Sequence, residues 1–188
     1  MTEKGRKKIG LALGGGAARG LAHIGVLQVF KERGLPVDCV AGCSMGAVIG
    51  GIYCAGEDMY ELQSTALSVS ERAFLDLGRP HKGVLRGKKT EEYIDTLCKG
   101  KTFEECVIPF CAAATDLVTS RTVPLTSGRL SHAIRASISI PGVFEPVDWE
   151  DMTLVDGGVT DRVPVDLCRD VLGAQYVIAV DVAFRGWR

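Results

Sequence analysis

The chain has 188 residues, 46% apolar and 24% charged, with a formal net charge of −1. That is the composition of one globular domain long enough to bury a substantial core. It supplies no overall field for nucleic acid, and no run of about 20 uncharged apolar residues is present to span a bilayer.

The start, MTEKGRKKIG, clusters Lys4, Arg6, Lys7 and Lys8 and reads as a solvated, frayed terminus, with anionic lipid as the one surface it could touch. Residues 8–13, KIGLAL, predict a short buried strand running into the glycines of GGGAARG. Leu21, Ile24, Leu27 and Val29–Phe30 then repeat at helical period up to Gly34. PVDCVAG predicts a second strand and MGAVIGGIYCAG a buried helix. Strand, helix, strand, helix in this rhythm predicts a parallel sheet covered by helices. Residues 57–76 predict an amphipathic surface helix, and GRPHKGVLRGKK an exposed loop. TEEYIDTLCKG predicts a helix capped by Thr90 and stopped at Gly100. IPFCAAATDL and RTVPLTSG predict an antiparallel strand pair, LSHAIRASIS a short helix, MTLVDGG a strand entering a turn, and AQYVIAVDV a late buried strand. No repeat or linker divides the chain, so residues 1–188 are expected to form a single domain.

All seven cysteines lie in or beside apolar runs, no Cys-x-x-Cys pair occurs, and the count is odd. They read as small buried hydrophobes of a reducing, cytoplasmic protein. Arg19 and His23 interrupt any signal-peptide core. The three histidines, His23, His81 and His132, show no ligand spacing, so neither a metal nor a cofactor is expected.

VAGCSMGAV places Ser44 between Gly42 and Gly46 at a strand-to-helix turn. Either Ser44 caps an ordinary tight turn, or the turn is a nucleophile elbow whose glycines let backbone approach and whose helix N-terminus favours developing negative charge. GGGAARG, also between strand and helix, allows a dinucleotide fingerprint or an oxyanion hole. The first lacks glycines where Ala17 and Arg19 stand and an acid closing the second strand. In the second, N–H groups near Gly15 and Gly16 join the N–H of Met45. Asp116 followed by His132 offers a serine–acid–histidine order, but one strand alone precedes the elbow strand, and His132 sits in a helical pattern. His23 is expected to be structural. Asp156, at the end of LVDGG before Gly157 and Gly158, is either an Asx turn or the group that takes the Ser44 proton directly. Partial burial would lift it above the ordinary aspartate value of about 3.9 and make it a better base.

GGGAARGLAHIGVL, GCSMG, RASISIPGVF and DGGVTDRVPV, in that order over residues 8–182, resemble the patatin-like phospholipases, in particular their short bacterial members. The resemblance implies a three-layer α/β/α fold with a mostly parallel sheet, and hydrolysis of lipid acyl esters through an acyl-serine intermediate. It implies a dyad of Ser44 and Asp156 and an oxyanion loop of Gly15, Gly16, Ala17, Ala18, Arg19 and Gly20, led in by Gly14. Ala17 stands where the family has a glycine; its N–H still serves the hole provided its φ is negative. Cys43 replaces the commoner threonine, a packing change, and Asp161 and Arg162 stand where many members have asparagine. Arg19 is expected to pin the loop, and Ser137 and Pro141 to shape the floor of the site. Apolar surface of the 57–76 helix would form a lipid-facing rim. The chain stops at DVAFRGWR where members of the family continue with further helices, so its C-terminal end reads as shortened. The expected substrate is a phospholipid, lysophospholipid or acylglycerol, met by a cytoplasmic protein at peripheral membrane contact. The competing expectation is a non-catalytic lipid- or anion-binding domain with the same fold.

Overall fold

Strands β1 (Ile9–Leu13), β2 (Cys39–Cys43) and β3 (Phe110–Asp116) are short runs of small and branched apolar residues, and β2 and β3 are buried throughout. Such runs suit parallel strands covered on both faces. The computed structural model describes residues 5–68 and 84–183, and there β1 pairs in parallel with β2 and with β7 (Tyr176–Val180), and β2 in parallel with β3. Antiparallel strands β4 (Arg121–Leu125), β5 (Val147–Trp149) and β6 (Met152–Asp156) complete a seven-stranded sheet in the order β5-β6-β3-β2-β1-β7, with β4 on β3.

Side chains alternate across this sheet, as the two-residue period requires. Leu11, Leu13, Val40, Phe110, Ala112 and Ala114 enter one apolar cluster, and Ala12, Cys39, Ala41 and Cys111 a second. The larger cluster takes up the inner faces of α1 (Ala22–Glu32), α2 (Met45–Cys54), α3 (Met59–Ser68), α4 (Lys88–Leu97) and α5 (Leu130–Ser137). Within it Ile49 and Ile52 are almost fully buried, each stabilising the fold by about 1.5–3 kcal/mol. The smaller cluster is closed by a short π-helical turn, Leu167–Val171, through Cys168 and Ala174. Alanine and cysteine line this side because the covering layer lies close. A Cβ at Gly10 would sit 2.8 Å from the Ala174 Cβ. The three layers expected from sequence are present, one far thinner than the other.

Two pairings position the site. β2 follows β3 as far as Cys43 opposite Ala113, and β6 joins β3 with Asp156 opposite Ala114. The residues on either side of the elbow and the DGG turn are thereby brought to consecutive positions of one strand.

Several boundaries differ from expectation. The 57–76 helix is described as Met59–Ser68, with Glu57 and Asp58 before it; residues 69–76 lie outside the described residues, as do Lys4, His81 and the first part of the GRPHKGVLRGKK loop. The rest of that loop is not simply exposed: Leu85 bridges Phe144, and Gly87, at φ +79, starts α4. Thr90 therefore lies buried inside α4 instead of capping it. β7 is the sheet's edge and not a buried strand; Tyr176 is 60% and Ile178 43% exposed. Its apolar sequence matches a core strand, but edge position is decided by strand order, which periodicity does not carry. Six of the seven cysteines are buried.

Candidate active site

Ser44 takes φ +52 and ψ −122, a conformation that costs a non-glycine residue about 1–3 kcal/mol and persists only where its surroundings hold it. Here they do. The Ser44 N–H donates to Ser137 Oγ at 2.9 Å, and the Ser137 hydroxyl donates to Ala113 O at 2.6 Å, tying the elbow to β3. The Ser44 carbonyl accepts from Ala47 and Val48, so the serine starts α2. The flanking glycines admit close backbone. A Cβ at Gly42 would collide with Gly46 O and one at Gly46 with Leu13 O, so they admit α2 against β1 and β2 and do not make room around the serine itself. The residue that must be small beside Ser44 is Gly15, whose Cβ would lie 3.2 Å from that of Ser44.

Asp156 ends β6, and its N–H donates to Ser139 O at 2.9 Å. Its Oδ1 accepts the Gly158 N–H at 2.7 Å, which is the Asx-turn bond, while Oδ2 is buried without an ordinary hydrogen-bond partner among the described residues. The Asx turn thus uses one oxygen of the carboxylate and leaves the other free of it. Burial pushes the Asp156 carboxyl above its usual range, opposed by the nearby Ser44 hydroxyl, the Gly158 N–H and the Arg162 charge. Gly157 lies directly on the Ala113 carbonyl, with no space for a Cβ. Burial also drives the Cys43 thiol far up, so it stays neutral beside the hydroxyl.

The glycine loop packs over the elbow. Gly14 donates to Val180 O and Gly15 to Arg162 O at 2.9 Å. Gly15 was expected to offer its N–H to an oxyanion; that group is instead spent on anchoring the loop. The N–H groups of Gly16, Ala17 and Met45 donate to no backbone carbonyl outside helices and strands among the described residues. Ala17 has φ +48, so the negative φ on which its place in the oxyanion hole depended is not met; the loop holds it in the left-handed region that glycine enters freely. His23, fully buried, donates from Nε2 to Gly14 O at 2.7 Å, and burial keeps it neutral. Arg19 donates to Val182 O, pinning the loop to the segment after β7. Gly20 gives way to the Met45 side chain.

Sequence reasoning missed Arg135. Only 2% exposed, its guanidinium donates to Ser139 Oγ and to the carbonyls of Arg86, Gly87 and Glu145, and stacks over Phe144. It clamps the 85–87 and 144–145 segments to the end of α5, which carries the Asp156 support at Ser139. A charged residue on the inner face of a short helix, four residues before a serine, was the available signal. His132 and Asp116 are not drawn to the site. His132 pairs with Glu91 and stacks on Trp149, and Asp116 accepts from Val118 and Thr119 in the β3–β4 turn. Pro141 is exposed. Among the described residues no group of three His, Cys, Asp or Glu side chains is placed to hold a metal ion.

Ser44 opens into an apolar cavity of about 470 Å³, within the ~300–1,000 Å³ of ordinary ligand sites. One wall is a single face of α2: Met45, Val48, Ile49 and Ile52. At 1.5 Å per residue the eight positions from Ser44 to Ile52 give it a run of about 12 Å. Leu62 and Ala66 of α3 and Ile94 and Leu97 of α4 close it. No helix among the described residues is long and apolar enough to cross a membrane.

Residues 11–169 match the family described as patatin-like phospholipase. An uncharacterised NTE family protein of Mycobacterium tuberculosis is 38% identical over 182 residues, covering 95% of this chain and 49% of its own length. The lysophospholipase NTE1 of Cryptococcus neoformans is 34% identical over 94% of this chain and 11% of its own, and the neuropathy target esterase sws of Drosophila melanogaster 35% over 93% and 13%. This chain thus spans about half, or much less, of the curated relatives it matches. Among solved structures, VipD from Legionella pneumophila superimposes with a TM-score of 0.71 at 14% identity, over 84% of this chain and 47% of that one. The type III effector ExoU superimposes at 0.55 and 15%, over 73% and 40%. At those identities the likeness is one of fold.

Proposed function

The chain belongs to the patatin-like phospholipase family, and from that premise we propose that it hydrolyses acyl esters of lipids, phospholipid, lysophospholipid or acylglycerol, through an acyl-Ser44 intermediate. Ser44 Oγ attacks the ester carbonyl as its proton passes to Asp156 Oδ2. The tetrahedral oxyanion is held by the N–H groups of Met45 and Gly16, each such donor being worth about 2.7–4 kcal/mol of barrier. Asp156 returns the proton to the departing alcohol. A water molecule, giving its proton to the same carboxylate, then attacks the acyl carbonyl; Ser44 recovers its proton and the fatty acid leaves. The acyl chain lies along α2 in the apolar cavity. The observation that carries this reading is the buried, unpartnered Asp156 oxygen beside a strained serine at a helix N-terminus. The relatives named lysophospholipase and esterase support the same class of reaction.

Labelling with a fluorophosphonate probe, read by intact mass and peptide mapping, tests it. One adduct on Ser44 is expected, absent in Ser44→Ala and slowed at least about a hundredfold in Asp156→Asn, within the range for loss of a general base. No adduct on folded wild-type protein would leave a lipid-binding domain as the reading.

A further inference from the structure

At Asp156 strand β6 has a strand on one side only. There it lies opposite Ala114 of β3, but β5 pairs with β6 no further than Leu154, opposite Val147. Carrying that register on would set Glu145 beside Asp156, yet Glu145 turns away, its N–H donating to Leu85 O and its carbonyl accepting from Arg135. The Ser139 carbonyl stands in for the missing strand and accepts the Asp156 N–H at 2.9 Å. Ser139 is fully buried, follows α5 and belongs to no helix or strand. The backbone that carries the carboxylate is therefore fixed on this side by a residue that itself needs holding.

Arg135, one helical turn earlier, holds it. The guanidinium donates to Ser139 Oγ at 2.5 Å, and that hydroxyl donates to the Arg135 carbonyl at 2.8 Å, so one residue grips the serine from both its ends. Its other N–H groups reach Arg86 O at 2.6 Å, Glu145 O at 2.9 Å and Gly87 O at 3.2 Å. A Cβ at Gly87 would land on the guanidinium, so glycine at φ +79 is what admits the side chain. A rigid planar fork of donors can tie these segments together at once, which a single ammonium cannot. We propose that Arg135 is a positioning residue for Asp156: by fixing Ser139 it sets the backbone from which the carboxylate is presented to Ser44. This rests on the hydrolase reading above. Arg135 touches no reacting group, but a displacement of about 1 Å at the base can cost on the order of a hundredfold in rate.

The test is a double-mutant cycle on the rate of fluorophosphonate labelling, in wild type, Arg135→Lys, Asp156→Asn and the double variant, with folding checked by the urea midpoint. Arg135→Lys keeps the charge and loses the fork. It is expected to slow labelling about ten- to a hundredfold in the wild-type background, and by less than about twofold once Asp156→Asn has removed the base. In turnover of a short-chain ester the loss falls on kcat and leaves KM unchanged. Ser139→Ala removes the gripped hydroxyl and leaves Arg135 its three backbone carbonyls; it should show the same non-additive pattern, and it decides the matter if Arg135→Lys does not fold. Equal slowing in both backgrounds, or none in either, overturns the assignment: Arg135 then serves the fold alone, and the hydrolase stands. A wild type that takes no adduct, or one that Asp156→Asn labels as fast as, removes the hydrolase reading and this proposal with it.

Discussion

Asp156 spends Oδ1 on the Gly158 N–H and leaves Oδ2 buried without an ordinary partner among the described residues, and burial there disfavours the ionised form. Two expectations follow from its raised pKa. As a base it must be ionised, so kcat/KM falls on acidification from a point above the ordinary aspartate value. For stability the sign is opposite to that of a salt-bridged carboxylate. The folded state binds the proton more tightly than the unfolded chain. This group's contribution is therefore fully present below the unfolded value and is lost as pH rises through the folded one. Asp156→Asn should thus gain stability relative to wild type between about pH 4 and pH 7, shown by urea unfolding at both, while losing activity. Ser137 is the converse case, a fully buried hydroxyl that satisfies both Ser44 N and Ala113 O. Ser137→Ala orphans both, and should cost about 1–3 kcal/mol in urea unfolding together with a loss of kcat.

At the scale of elements, the glycine loop and α2 are two helix starts packed against each other, and the N–H groups of Gly16, Ala17 and Met45 there donate to no backbone carbonyl outside helices and strands among the described residues. The loop is strained at one position. Ala17 at φ +48 bears a cost of about 1–2 kcal/mol that glycine would not. Glycine adds about 0.4–1 kcal/mol of unfolded-chain entropy in return. Ala17→Gly should therefore be neutral or stabilising by up to about 1.5 kcal/mol, read from the urea midpoint at constant slope. A clear loss of stability would show that the Ala17 methyl packs more firmly than its exposed position indicates.

Across the whole molecule, the thick helical layer makes the apolar cavity beside Ser44 and the thin one lets β1 and β2 lie close under Cys168 and Ala174. The cavity needs α2, α3 and α4 together, elements spread over 53 residues from Met45 to Leu97, part of which lies outside the described residues. Val48 lies one helical turn from Ser44, about 6 Å along the wall. Val48→Phe should narrow the cavity there. The expected result is a loss of at least about tenfold in kcat/KM on long-chain esters, with short-chain esters spared, since a clash in a packed site costs about 1–3 kcal/mol.

The strand–turn–helix order, the elbow at Ser44, the glycine loop and the DGG turn were all legible in the sequence, because each is a local pattern in which glycine and period dictate backbone shape. What that pattern could not contain was partnership. That Gly15 N–H is taken by Arg162 O, that Asp156 keeps one oxygen unpartnered, that Arg135 clamps the cavity wall and that β7 is an edge all depend on segments distant in the chain. Hydrogen-bond satisfaction and strand order are settled when those segments dock, and only the tertiary structure records how they did.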